Sequence, residues 1–312
     1  MRHYNLLLLL AILFLLAACN FKSKKTYVED IAQPELAPLD SGVINYKDKQ
    51  PFDTLLHLTG KKILLSDSIL KEIEFISFVD DKVVLRKKCE YNTTKFPVGN
   101  DEFICIRPFD SLIIRASSDG YSKKIYYLTL QPNNEKLMVD TSKNRIVFAY
   151  NYYRVFHVMD MDAKTVKTID FEGGNYNYKF TTFMDGVDKN NIYYVDSFAG
   201  DEYFYLLYWG HSYFELYKNI YKGWIKARNG DYLKPENYQW NLPNIVEQYD
   251  WNGNPVGKYL LEGNPITNEG CFVVDEKNQR FYFLVSEWDR LYTVAVISSL
   301  VCSQKSLIAY DF

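Results

Sequence analysis

The sequence predicts an all-β protein built from repeated four-strand modules, and three observations carry that expectation. Aromatic residues make up 17% of the 312 residues, with 27 Tyr and 20 Phe against 15 Gly and 10 Pro. Tyr and Phe favour pleated, half-buried strands. Strand-like alternation recurs from about residue 54 to the C-terminus, while long helical periodicity is nearly absent. The chain also repeats itself: Val139–Phe148 aligns without gaps on Val274–Phe283, each an apolar residue and Asp, a polar turn, Arg at the same offset and an apolar run. A content of 47% hydrophobic and 24% charged residues fits a full-sized core and excludes a disordered or collagenous chain. The net charge of -3 leaves no basic excess to neutralise phosphates, so nucleic acid is not an expected partner.

Residues 1–18 read as an export signal. Arg2 and His3 form a small polar head, and Leu6 to Leu16 is an unbroken apolar run of 11. That is well short of the ~20 residues that span a bilayer. The run ends in Leu16-Ala17-Ala18-Cys19, which resembles the lipobox of bacterial lipoproteins. The resemblance implies cleavage before Cys19, a diacylglycerol on its sulfur and acylation of the new amine. Several acyl chains on one residue hold a protein stably to a bilayer, where one is marginal.

Residues 19–52 read as the lipidated Cys and a flexible tether. Asn20–Lys25 carries three lysines and no acid, and residues 26–52 mix Pro, Asp, Lys and Gln without periodicity. Such a segment has too little apolar surface to fold alone. No aspartate follows Cys19 and no acidic cluster marks surface export, so the expected address is the outer membrane, facing the periplasm, with the cell surface as the alternative. Cys89, Cys105, Cys271 and Cys302 remain after processing. That compartment permits disulfides, and four cysteines allow three pairings. Their spacing matches no zinc pattern, so no metal is expected.

Residues 53–312 form the β domain. A second internal comparison sets Phe156–Asp162 against Val246–Asn252, two strands ending in Asp-x-Asp/Asn with a valine (Val166, Val256) six residues after the first Asp. Weaker echoes occur at Val79–Val84 and Phe109–Ile114. One module can be drawn in full: Lys136–Asp140, Arg145–Tyr150, Arg154–Asp160 and Thr165–Phe171. Repeats of roughly 40–50 residues with four strands each mark a β-propeller, and the domain divides into about six of them. Thr54–Leu58 and Lys62–Leu65 are expected to share one blade with the strand-like Ser306–Phe312 and close the ring by antiparallel pairing.

Several stretches resemble the TolB-like six-bladed propeller lipoproteins: Asp250–Pro255 followed by Lys258–Leu261 and Phe272–Asp275, together with Asn144–Tyr150, Val155–Asp160 and Tyr203–Gly210. The similarity covers roughly residues 50–312 and is clearest from 137 onward. It implies a six-bladed propeller on a lipid anchor. Its motifs describe architecture, so no catalytic residue and no cofactor carries over.

The search for chemistry is mostly negative. His57, His157 and His211 sit in no metal-ligand spacing, and His157 alternates within an apolar strand as a structural residue would. No G-x-S-x-G elbow or phosphate-binding glycine loop occurs. Asp250-x-Asn252-Gly253-Asn254 places oxygens at alternate positions, but its glycine is fourth and its twelfth residue is Leu261. A calcium loop needs glycine sixth and glutamate twelfth, so a hairpin turn is expected here.

One segment exceeds the needs of a module. His211–Asn244 is rich in Tyr and Trp with basic residues interleaved, where a tight turn would suffice. Loops of that length inside compact domains usually serve function. Trp209, Trp224, Tyr232, Tyr238 and Trp240 are therefore the candidate ligand-binding residues, their aromatic faces suited to a protein, peptide or glycan. The expected function is a membrane-anchored, periplasmic binding module without evident catalysis. The alternative is a propeller hydrolase or lyase acting on a sugar or lactone, with acid residues drawn from separate blades.

Overall fold

A computed structural model describes residues 28–29, 43–65, 69, 73, 75–86, 95–99, 101–107, 112–117, 122–128, 136–174, 176, 190–212, 225–226, 232–233, 244–262, 272–294 and 297–312. Apart from a helical residue at Ile69, every element in them is a strand. The first four are two or three residues each: β1 (Val28–Glu29), β2 (Val43–Asn45), β3 (Leu56–Leu58) and β4 (Lys61–Ile63). Sheet I is the hairpin β5 (Phe75–Val79) and β6 (Lys82–Arg86). Sheet II is the meander β7 (Lys95–Pro97), β8 (Glu102–Arg107), β9 (Leu112–Ser117) and β10 (Ser122–Tyr127). Sheet III is β11 (Lys136–Asp140), β12 (Arg145–Ala149), β13 (Val155–Met159) and β14 (Val166–Asp170), within a residue or two of the module drawn from sequence. Sheet IV takes β15 (Asn191–Ala199) and β16 (Tyr203–Ser212). It skips β17 (Ile225–Lys226) and β18 (Tyr232–Leu233), then continues with β19 (Ile245–Asp250) and β20 (Pro255–Leu261). Sheet V holds β21 (Phe272–Asp275), β22 (Arg280–Val294) and β23 (Ile297–Asp311).

Sheets II to V stack in chain order because most of their strands are apolar on both faces. On β12, Ile146 and Phe148 pack with Ile104, Ile106 and Ile113 of sheet II, while Val147 and Ala149 pack with Phe204, Leu206 and Tyr249 of sheet IV. Tyr205, Leu207 and Tyr259 of sheet IV meet Phe272, Phe281 and Phe283 of sheet V. Ile73 and Ile76 close against Val273, Leu284 and Leu307 of sheet V. Consecutive meanders packed face to face form a propeller-like arrangement; among the described residues four such sheets occur, with the hairpin of sheet I as a fifth.

The repeated Asp motif marks the hairpin turns. Asp140 and Asp275 sit opposite Arg145 and Arg280 at the first turn of sheets III and V. Each carboxylate accepts a backbone N–H three residues on, from Lys143 or Asn278. Asp160 and Asp250 each accept a backbone N–H four residues on, from Lys164 and Asn254, between the third and fourth strands. Equivalent turn residues take the left-handed conformation: Asn144 and Gln279 at φ 54 and 52, Ala163 and Gly253 at φ 51 and 77. Both oxygens of Asp250 serve this turn, which is the hairpin expected from Asn-Gly. The Asp80-Asp81 echo is the turn of sheet I; Asp110 lies outside the described residues.

The four short strands form a strap. β1, β2 and β3 add in parallel to β10, β14 and β20, the last strands of sheets II, III and IV. β4 then adds antiparallel to β23, with Leu307 opposite Ile63 and Ala309 opposite Lys61. The expected pairing of N- and C-terminal strands is thus present for β4, but β3 belongs to the neighbouring sheet. β1 and β2 also fall inside the span read as a tether. Edge addition explains both differences: the sheet edge supplies the hydrogen-bonding partners, so the added strand needs no apolar periodicity of its own. Gly60 carries the strap from sheet IV to sheet V, where an added Cβ would lie 2.7 Å from the Ile308 and Tyr310 side chains.

Candidate functional site

A charged cluster lies between sheets III and IV, built by residues that interrupt otherwise apolar strands. Glu247 follows Val246 on β19 and is fully buried. Arg154 precedes β13, at the turn joining the second and third strands of sheet III. Its Nη2 donates to Glu247 Oε1 at 2.8 Å, and Lys258 Nζ, cross-strand from Glu247, lies 3.3 Å from the same oxygen. Tyr249 donates its hydroxyl to Oε2 at 2.8 Å. The guanidinium lies 4.4 Å from the Phe171 ring centroid and 4.7 Å from that of Tyr208. Lys258 lies 5.5 Å from the Phe52 ring, which the strap contributes between β2 and β3. Tyr46 of the strap stacks on Phe171 at 5.3 Å.

Burial opposes the Arg154 charge, but Glu247 outweighs it and holds the guanidinium pKa above its ordinary value. Burial, then Glu247, pushes the hydroxyls of Tyr194 and Tyr249 well above the usual phenol range, so both remain donors at neutral pH. The Glu247 carboxylate already accepts from three donors and its side chain is 0% exposed, whereas Arg154 and Lys258 are 23% and 22% exposed. Solvent therefore meets two cations among aromatic rings, while the acid is enclosed. That arrangement suits binding through cation–π, stacking and hydrogen-bond contacts, and it leaves Glu247 poorly placed as a base. Asn151 Oδ1, Arg154 Nε and the Tyr194 hydroxyl are buried nearby without a well-formed hydrogen bond.

Above this end of the sheets, two elements join. The hairpin β22–β23 continues past Val285 and Ser306 to Val294 and Ile297, about 30 Å at the usual strand rise. Strand β18, within the long insertion of sheet IV, pairs with it: Tyr232 opposite Leu291 and Leu233 opposite Arg290. β17 adds beyond β18. The insertion of one sheet thus docks on the extended arm of the next.

Of the residues singled out from sequence, Trp209 is buried in β16 with its ring 6.4 Å from that of His211. Tyr232 begins β18. Trp224, Tyr238, Trp240 and Cys19 lie outside the described residues, as do Cys89 and Cys271. Cys105 is buried on β8 and Cys302 lies on β23. His157 is a core residue: Tyr150 lies 3.2 Å from Nε2, Thr168 lies 2.9 Å from Nδ1, and burial lowers its pKa to about 4. Sequence reasoning missed Arg154, Glu247 and Lys258. The available signal was Glu247-Gln248, a polar pair inside a strand whose flanks are apolar. Among the described residues no group of three or more His, Cys, Asp or Glu could hold a metal ion.

No known protein family and no curated protein matches the sequence. Solved structures with propeller-like folds do align with it. The N-terminal domain of Nup159 aligns at 10% identity and TM-score 0.31, covering 83% of this chain and 63% of that one. The chain therefore spans less than two thirds of that domain. Virginiamycin B lyase from Staphylococcus aureus aligns at 11% identity and TM-score 0.27, covering 81% and 98%. A luciferin-regenerating enzyme aligns at 10% identity and TM-score 0.28, covering 81% and 91%. At these scores the likeness adds no weight to the sheets themselves.

Proposed function

We propose that the protein is a bacterial lipoprotein, acylated at Cys19 and held to the outer membrane facing the periplasm. Its TolB-like six-bladed propeller binds a protein, peptide or glycan. The observation that supports this best is the joining of β18, the part of the sheet IV insertion at Tyr232-Leu233, to the β22–β23 arm of sheet V. Two solvent-reached cations among aromatic rings lie at the same end of sheets III and IV. Such a surface offers stacking faces and charged donors without an unengaged acid.

The test uses the full chain in detergent against a glycan array and a lysate pull-down read by mass spectrometry. A specific ligand should appear, and Trp224→Ala with Trp240→Ala should abolish its retention while the unfolding midpoint stays unchanged. A ligand retained by that double variant would refute the placement of the site. Turnover of a sugar or lactone by the wild type would refute the non-catalytic reading. Radiolabelled palmitate should label the wild type and not Cys19→Ser; label on that variant would remove the anchor.

A further inference from the structure

We propose, on the reading of the Arg154–Lys258 cluster as a ligand site, that the strap governs it: the site is complete only while β2 lies on β14 and holds Tyr46 at the rim.

The strap crosses where the site lies. β2 adds to β14 of sheet III with Ile44 opposite Ile169, and β3 adds to β20 of sheet IV with Leu56 opposite Tyr259. Residues 46–55 therefore pass between the two sheets that hold Arg154 and Lys258. Among the described residues, three half-buried tyrosines rim the core there: Tyr46 from the strap, Tyr193 from β15 and Tyr208 from β16. The Tyr208 ring lies 4.7 Å from the Arg154 guanidinium and 6.3 Å from the ring of Tyr193.

Three consecutive residues at the end of β14 join Tyr46 to Arg154. Asp170 O accepts the Tyr46 N–H at 2.8 Å. The Phe171 ring stacks on Tyr46 at 5.3 Å and lies 4.4 Å from the guanidinium, while the Phe171 N–H donates to Arg154 O at 3.1 Å. Glu172 accepts from the Arg154 N–H at 3.0 Å and from the Tyr193 hydroxyl at 2.9 Å. The cation is thus set by the same tripeptide that grips the strap. Gly173 follows at once with φ 64, and an added Cβ there would fall 2.6 Å from Lys47 Cδ.

That grip is light. β2 is three residues long, Val43 is 60% exposed, and Lys47–Gln50 are all exposed. A short edge addition of this kind opens at less cost than the body of the fold, while the buried Phe52 holds the stretch that follows. Opening at β2 withdraws the Tyr46 ring and uncovers the Phe171 face on which it lies. The strap therefore has two states, and a ligand that touches the whole rim selects the docked one. The coupling is reciprocal: docking strengthens binding, and binding holds the strap down.

The probe is benzoate, which offers an aromatic face and an anion together, titrated calorimetrically into the full chain in detergent. The wild type should bind it, and Arg154→Met with Lys258→Met should not. Ile44→Pro weakens the docking of β2, because the strand period of two turns the Ile44 N–H the same way as that of Tyr46, and proline has no N–H. A strap docked about one fifth of the time gives about fivefold weaker binding, and a loss of that size or larger is expected. Tyr46→Leu should also bind more weakly, and Tyr46→Phe as the wild type does. In the wild type, benzoate at about ten times its dissociation constant should slow amide exchange at Ile44 and Tyr46 about tenfold, with Lys61–Ile63 unchanged. That measurement needs no variant, so a poorly folded Ile44→Pro does not shield the proposal. Equal binding by a folded Ile44→Pro, or no slowing at the strap amides, overturns the strap's role and leaves the site standing. A wild type that binds no benzoate at tens of millimolar, or a double Met variant that binds it equally, overturns the site as read and this proposal with it.

Discussion

Replacing Arg154 by Met tests whether sheets III and IV are held by their buried ion cluster as well as by aromatic packing. Met keeps most of the aliphatic stem between Phe171 and Tyr208, so the volume change is small. What disappears is the 2.8 Å charge-assisted hydrogen bond to Glu247, whose side chain is fully enclosed. Stripping one partner from a buried pair costs about 3–5 kcal/mol, chiefly because the other charge stays behind without compensation. Lys258 and Tyr249 still hold the Glu247 oxygens, which places the expected loss at the lower end, about 3 kcal/mol. The assay is equilibrium urea unfolding. With a slope near 3 kcal/mol/M, the midpoint should fall by about 1 M at unchanged slope. Adding Glu247→Gln should cost less than the sum of the single losses, by about 1–3 kcal/mol, as coupled neighbours do. A shift under 1 kcal/mol for Arg154→Met, or strict additivity in the double variant, would refute the cluster's role.

Tyr194→Phe removes a buried hydroxyl that faces the Arg154 guanidinium and should cost about 1–2 kcal/mol; an unchanged midpoint in the same urea assay would contradict that. Gly60→Val should drive a side chain into Ile308 and Tyr310 and cost about 1–3 kcal/mol. Hydrogen exchange should then show faster exchange at Lys61–Ile63 and Leu307–Ala309, and wild-type rates there would argue against a tight crossing. His157 is held neutral in the folded chain at pH values where the unfolded chain protonates it. Its contribution is complete above about pH 6.5 and is lost as pH falls toward 4, about 3 kcal/mol in all. His157→Gln should lose that part of the acid slope, and an unchanged slope between pH 7 and 4.5 would refute the assignment.

The regular part of the fold was legible because its signals are local. Asp140, Asp160, Asp250 and Asp275 each cap their own turn within a few residues, so the sequence repeats wherever the turn does. The strap left no such trace. Its strands are two or three residues long, and their partners lie far along the chain, as with Leu56 and Tyr259. The arm was hidden for another reason: Ser286-Glu287-Trp288-Asp289-Arg290 reads as a polar break, yet β22 continues through it with register shifts around Trp288. The Arg154 cluster joins residues separated by 93 positions, so no linear motif could announce it. The aromatic richness of the insertion was visible, but that Tyr232 meets Leu291 depends on which sheet stands next to which.

The strap also sets how the domain responds to tension. With Cys19 as the proposed anchor, only eight residues lie between it and Val28, a reach of at most about 30 Å. β1 and β2 are held by a few edge hydrogen bonds, each worth roughly 1 kcal/mol, and a pull from the anchored end loads them one after the other. Loss of β1 frees the chain to Val43 and extends the reach to about 80 Å; loss of β2 frees it as far as the buried Phe52 and gives about 110 Å. Neither step breaks a strand pair within the meanders. The domain can thus stand off the bilayer at three stepped heights, like a load on a line wound around its own rim.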